Sequence, residues 1–266
     1  MTQANLRKAL TRPLAIALQV GSVVTVLLLW FLLTLGSPEE RILSPLTLPS
    51  PAEVAGQVKT LWFDAALSRS IAWSMGRILL GFGLAALIGI PLGILGGCVR
   101  AVEAVFHPIS VFLRNIPIAA LIPLTLVWFG LGEMQKVFFI FIACVGFVLA
   151  DTTRAVLDVD DRFVQTAYTL GASRRQVVSK VLIPLAMPDI FNSMRLLFGL
   201  AFGYIVLAEL IDAKFGLGYI IQVAQRRGPR EHIYLVLFVI TLLAFGIDRL
   251  LYAIQRRLFP YIFAKQ

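Results

Sequence analysis

"VQTAYTLGASRRQVVSKVLIPLAMP" occupies residues 164–188, a polar interruption in an otherwise very apolar chain. Just ahead of it, Asp160 and Asp161 offer acidic side chains to the start of a helix through "RFVQTAYTL", because carboxylates satisfy the free amides there. Gly171 ends that helix, as a glycine just past a terminus does. Ser173 followed three residues later by Gln176 forms a capping box that opens a second helix. Val177, Val178, Val181 and Leu182 make one apolar face of it, with Arg174, Arg175 and Lys180 distributed elsewhere, and Pro184 and Pro188 punctuate the entry to the next apolar run. The stretch reads as a helix, a tight turn and a helix. Two readings stand side by side: an element laid into a groove of a partner, and an amphipathic loop resting on anionic headgroups through its arginines.

What surrounds this stretch is membrane-like. The chain has 266 residues, 59% hydrophobic and 15% charged, with a mean hydropathy of +0.86; soluble domains run nearer half apolar and a quarter charged. With roughly 20 apolar residues per spanning helix, about six spans fit: 14–35, 76–97, 113–132, 136–153, 192–211 and 233–253. Arg7, Lys8 and Arg12 ahead of the first run resemble a signal peptide, but the run is long and no A-x-A pattern follows, which predicts a retained span. Prolines at 38, 45, 49 and 51 forbid a continuous helix after it, and residues 52–76 carry the amphipathic pattern of a surface helix leading into the second span.

Fifteen of the 24 basic residues fall on the side that holds both termini, the 98–115 loop and the 154–195 loop, and this bias predicts that side to be cytoplasmic. Net charge is +9, but the basic residues come in short clusters between apolar runs instead of a stripe with aromatic partners, which argues against nucleic acid. Cys98 and Cys144 have neither C-x-x-C spacing nor a neighbouring histidine, and they predict neither a disulfide framework nor a metal site. Glycines in "GFGLAALIGIPLGILGG" allow close helix approach; a helix that bends during transport is the rival reading. "FGLG" occurs at 129–132 and at 215–218, which is read as coincidence in a chain rich in Phe, Gly and Leu.

At this point the chain resembles a known family, the membrane permease subunits of bacterial binding-protein-dependent ABC importers. Their loop motif is close to E-A-A, three residues, G, about nine residues and I-x-L-P; here Gln165-Thr166-Ala167, then Gly171, then Leu182-Ile183-Pro184 stand in its place. "HPISVFLRNIPIAALIPLTLVWFGLGEMQKVFFI" and "LAELIDAKFGLGYII" are similar to segments of the nitrate, taurine, aliphatic sulfonate and bicarbonate branch, and the resemblance runs from about residue 70 to 255. It implies an all-α membrane protein of the type I ABC importer permease fold, a single domain over 1–266 with a core at 76–255 and a cytoplasmic coupling loop at 154–190. It implies that Gln165, Thr166, Ala167, Gly171, Ala172, Ser173, Arg174 and Pro184 engage an ABC ATPase subunit. Gln165 departs from the family's Glu and keeps its length without its charge.

The resemblance further implies a second permease copy, an extracytoplasmic substrate-binding protein and residence in the bacterial inner membrane. The cargo it implies is a small anion such as nitrate, bicarbonate, taurine or a sulfonate, the alternative being an uncharged aromatic or vitamin-precursor solute. No G-x-x-x-x-G-K-[ST] loop occurs, so ATP and Mg belong to the partner, and the chain is expected to be a non-catalytic subunit with no cofactor or metal of its own. Charges within spans are costly and therefore informative. Glu209 reads as a gate or substrate contact, or as a helix-end carboxylate paired with Lys214 or another base. Arg77 and Arg195 read as span starts that snorkel to the interface, with Arg77 kept as a candidate in an anion path. A gradient-driven transporter would need buried carboxylates at mid-membrane depth, where none falls; a membrane-anchored enzyme would need a nucleophile or metal cluster, and none is visible. His107 and His232 are isolated, and the outer "QRRGPRE" reads equally as a complement to an acidic binding protein or as a solvated loop.

Overall fold

The computed structural model describes residues 11–37, 41–211 and 213–263, and Arg7, Lys8 and Pro38 lie outside them. In chain order the helices are α1 (Arg12–Leu33), α2 (Pro51–Gly56), α3 (Val58–Phe63), α4 (Leu67–Cys98), α5 (Arg100–Asn115), α6 (Ile118–Phe129), α7 (Glu133–Leu157), α8 (Asp161–Thr169) and α9 (Arg174–Val177). A π-helical turn, Val178–Leu182, leads from α9 into α10 (Ile183–Glu209), followed by α11 (Leu217–Arg227), α12 (Glu231–Leu258) and α13 (Pro260–Phe263). No strand occurs among the described residues. Among the described residues, five helical stretches are long and apolar enough to cross a membrane, six if a bent pair counts as one span.

That bent pair corrects the predicted third span. The run drawn as 113–132 breaks at Ile116 and Pro117, and α5 and α6 meet there at 101°. Both residues are extended, with Ile116 at φ −67°, ψ 128°. The cause is local: a proline disfavours the helical region for the residue before it. The predicted 98–115 loop is therefore helix α5, packed along α7.

The second, fourth, fifth and sixth spans are longer than their apolar runs, while α1 matches its run in length. α4 starts nine residues before the predicted 76, which moves Arg77 from a span start to the eleventh residue of the helix. The predicted surface helix over 52–76 is two short helices and the first turns of α4. α1 is exposed along nearly its whole length, and near its end the Trp30 indole N–H donates to the Pro49 carbonyl at 2.9 Å. The proline-rich stretch after it is pinned by a capping box, in which Ser50 and Glu53 exchange bonds, and by the Arg41–Glu53 ion pair at 2.9 Å. The Arg41 guanidinium, helped by the Ser50 amide, holds the Glu53 carboxyl down at about 2.

The centre of the molecule is α4 against α7, with α10 across both. Ile78, Phe82 and Ala85 pack with Phe139, Ile140, Cys144 and Val148, and Ala201, Phe202 and Ile205 close the cluster. Lipid tails are as apolar as leucine, so the helices gain from contact more than from burial, and contact requires small residues. α4 supplies one every fourth position: Gly81, Ala85, Gly89, Gly93 and Gly97. A Cβ at Gly81 would stand 2.6 Å from the Val137 carbonyl, and one at Gly93 2.6 Å from Thr152. These glycines serve close packing, and α4 runs unbroken past Pro91.

Candidate functional site

The chain carries two candidate sites at opposite ends of the bundle. At one end α4, α7 and α12 finish and α10 is entered; here lies the helix-turn-helix. The Asp160 carboxylate caps α8 by accepting from the Arg162 amide at 2.9 Å. α8 ends in a Schellman motif: the Ala172 amide donates to the Ala167 carbonyl at 3.0 Å and the Gly171 amide to the Tyr168 carbonyl at 2.9 Å. Gly171 takes φ +81°, which explains glycine at this position. The Ser173 amide donates to Gln176 Oε1 at 2.8 Å and starts α9. All these bonds span five residues or fewer, which is why the sequence pattern announces them.

The second helix does not stop at Pro184 as its prolines suggest. Residues Arg174–Glu209 form one helical stretch of 36 residues. Pro184 has no amide to offer, and the wider turn just before it, where the Ile183 amide reaches back to the Val178 carbonyl, absorbs the defect. Val177 is buried, while Gln165, Thr166, Gly171, Ser173, Arg174 and Pro184 are exposed and Ala167 and Ala172 are half-buried. Leu170, at the tip of the turn, is 81% exposed. A groove between this unit and the ends of α4 and α7 is lined by Cys98, Val156, Val164, Tyr168, Arg174 and Val178.

At the far end the structure brings together Arg77 and Glu209, with partners that the sequence reading missed. Arg77 Nε and Nη2 donate to the two carboxylate oxygens of Glu133 at 2.6 and 2.7 Å, and Nη1 donates to Glu209 at 2.7 Å and to the Phe215 carbonyl at 2.8 Å. Arg77 is buried, so the snorkelling expectation is overturned; the cost of burying the guanidinium is met by two carboxylates and a carbonyl. Glu209 is the last residue of α10, the end of a helix dipole that repels an anion. It is stabilised by Ser74 Oγ at 2.7 and 2.9 Å, by the Gly218 amide at 2.9 Å and by Arg77. Ser74 Oγ in turn accepts from the Leu217 amide at 2.9 Å, so the free amides that open α11 are capped from α4 and α10. Glu209 is thus the helix-end carboxylate of the sequence reading, and its base is Arg77; Lys214 is exposed.

Both "FGLG" strings end at this cluster. The first leads directly into Glu133, and Lys136 Nζ donates to the carbonyl of its Gly132 at 3.0 Å. The second supplies the Phe215 carbonyl and the Gly218 amide, and a Cβ on its Gly216, at φ +138°, would fall onto the Glu209 carboxylate. An acidic residue one step after the first string and six before the second was the signal that could have found the site. Other charges resolve simply. Arg195 pairs with Asp248 at 2.8 Å instead of snorkelling, His232 meets the Thr60 hydroxyl at 3.0 Å, and of the arginines in "QRRGPRE" Arg230 donates to the Leu46 carbonyl while Arg226 and Arg227 are exposed.

Comparison with known proteins agrees with this architecture. The chain is 34% identical over 251 residues to the taurine transport system permease protein TauC of Escherichia coli K12, covering 92% of this chain and 90% of that one. It is 29% identical over 247 residues to the bicarbonate transport system permease protein CmpB of Synechococcus elongatus, covering 91% and 88%. Among solved structures, an inward-facing MetNI methionine ABC transporter superposes with a TM-score of 0.64 at 22% identity over 75% of this chain and 98% of the matched one, a likeness of fold. Residues 89–261 match the model of the binding-protein-dependent transport system inner membrane component. With that match across most of its spans, the chain belongs to the family of inner-membrane components of binding-protein-dependent transport systems.

Proposed function

We propose that this permease is the path-forming subunit of an ATP-driven importer in a bacterial inner membrane, with both termini in the cytoplasm. In this reading α8, the Gly171 turn and α9 are the coupling element gripped by a separate ABC ATPase. A second permease copy completes the path, since one such element per chain requires two chains for two ATPases. ATP and Mg act in the partner, and an extracytoplasmic binding protein delivers the solute. The cargo is a small anion of the taurine, sulfonate, nitrate or bicarbonate kind, a reading supported by the relatives' names and by the net charge of +9.

The observation that carries this proposal is mechanical. α9 continues through the π turn into α10 as one helical stretch, so a displacement of the exposed turn reaches Glu209, 38 residues beyond Gly171, without crossing a joint. Energy released by closure of an ATPase dimer has a rigid route to the far end. The test is co-purification with candidate ABC ATPase subunits from the same organism, comparing wild type with Gly171→Arg. A Cβ at Gly171 meets nothing within 4 Å, so the variant obstructs a partner without reaching the spans. Wild type should retain the ATPase, and the variant should lose it while melting normally; equal retention by both, or none by either, rejects the coupling role.

A further inference from the structure

The Arg77 cluster is asymmetric in a way that a simple brace does not require. Glu209 is wholly buried and holds donors from Ser74, Arg77 and Gly218, so its departure would take the acceptor from the Ser74 hydroxyl and the Gly218 amide and leave Arg77 Nη1 only the Phe215 carbonyl. The Glu133 side chain is 50% exposed and is held to Arg77 by two parallel bonds. Beside that edge opens a cavity of about 260 Å³, whose lining includes Trp73, Gly76, Arg77, Leu80 and Glu133. Gly76 lines the same cavity, and nothing stands within 4 Å of where its Cβ would lie. The Trp73 ring lies 5.4 Å from the guanidinium carbon. Lys136, one turn beyond Glu133 on α7, adds a second buried cation to the same corner.

We propose that the Nε/Nη2 edge of Arg77 is a binding site for a small oxyanion, a sulfonate or a carboxylate, and that Glu133 occupies it from within until such an anion takes its place. The guanidinium fork matches two oxygens of either group in the same parallel geometry that it now offers Glu133. Exchange of one anion for another leaves the buried guanidinium compensated throughout, which avoids the penalty of stranding one half of a buried pair. Glu209 and the Phe215 carbonyl keep hold of Nη1 during the exchange, so the fork stays aimed. Glu133, released, has water to enter. The proposal rests on the import reading above for the source of the anion: this end of the bundle is then the outer one, where solute arrives, and Glu133 acts as a built-in competitor that sets the concentration at which the site fills.

The experiment measures retention of isotope-labelled ethanesulfonate by the full chain in nanodiscs of phosphatidylcholine alone, with unlabelled taurine as competitor. Glu133→Gln should bind about tenfold tighter than wild type, because apparent affinity scales with the fraction of sites not already occupied. Gly76→Leu, whose Cβ meets no neighbour and whose side chain fills the cavity, should bind at least about tenfold weaker in the same terms. Gly76→Leu should keep wild-type circular dichroism and melting; Glu133→Gln, which leaves the buried Arg77 one carboxylate short, should melt lower yet keep wild-type circular dichroism at the assay temperature, which separates a changed site from a lost fold. Equal binding by wild type and folded Glu133→Gln overturns the proposal. So does a response that appears only when anionic lipid is added, since a headgroup would then be the occupant. The outcome is independent of ATPase retention: sulfonate binding can fail with docking intact, or persist with docking absent, and the two readings fall separately.

Discussion

The two ends of the bundle solve opposite problems. At the far end the Arg77 guanidinium is answered over sequence separations of 56 to 138 residues, Glu209 is answered from Ser74 and Arg77 as well as by the Gly218 amide nine residues on, and the cluster is buried except at Glu133. At the loop end the caps are answered from within five residues, and most of the side chains between Gln165 and Pro184 face outward. A group whose partners all lie inside the chain braces the chain. A surface that is locally finished and otherwise unoccupied can be held by something else at no cost to the fold.

The contrast breaks most readily at Glu209. Glu209→Ala takes the carboxylate from Ser74 and the Gly218 amide and leaves Arg77 Nη1 only the Phe215 carbonyl in a buried corner, and it should destabilise the permease by about 3–5 kcal/mol, read as a large fall in melting temperature in nanodiscs. A wild-type melt would mean that the far end is no brace. Ser74→Ala tests the same corner more gently. It removes one donor to Glu209 and the acceptor for the Leu217 amide, with an expected loss of about 1–3 kcal/mol, and hydrogen exchange should quicken at the start of α11 before anywhere else. Uniform quickening over the whole chain would show that the corner is not a local unit.

Gly171→Ala sharpens the comparison from the other side. The Cβ meets no neighbour, and the penalty is that of a left-handed backbone alone, about 1–2 kcal/mol. It should appear as fraying of α8 in hydrogen exchange, with the melt of the spans unchanged within error. A fall as large as that of Glu209→Ala would mean that the turn is part of the core after all.

Much of this was legible in advance where the cause is short-range. Apolar runs announced the spans, Asp160 and the Gly171 turn announced α8, and the spaced motif placed the chain among the importer permeases. The errors have physical reasons too. The third span was drawn straight because hydropathy does not register what Pro117 does to Ile116. Arg77 was put at a span start because the polar first turns of α4, "LSRSIAWS", look like surface on hydropathy alone. Glu133 was passed over as a loop residue between two runs.

The sequence by itself determined the number and approximate extent of the membrane helices, the capped turn between the fourth and fifth runs, and the family. Those depend on composition over one helix or on bonds that close within a few residues. Only the tertiary structure decided which charges meet. Arg77, Glu133 and Glu209 sit on three helices, and whether they converge depends on the rotation and height of each helix against its neighbours. The small-residue seam of α4 against α7 fixes that rotation and height, through contacts too close to admit a Cβ. The same seam gives the two "FGLG" strings a common destination.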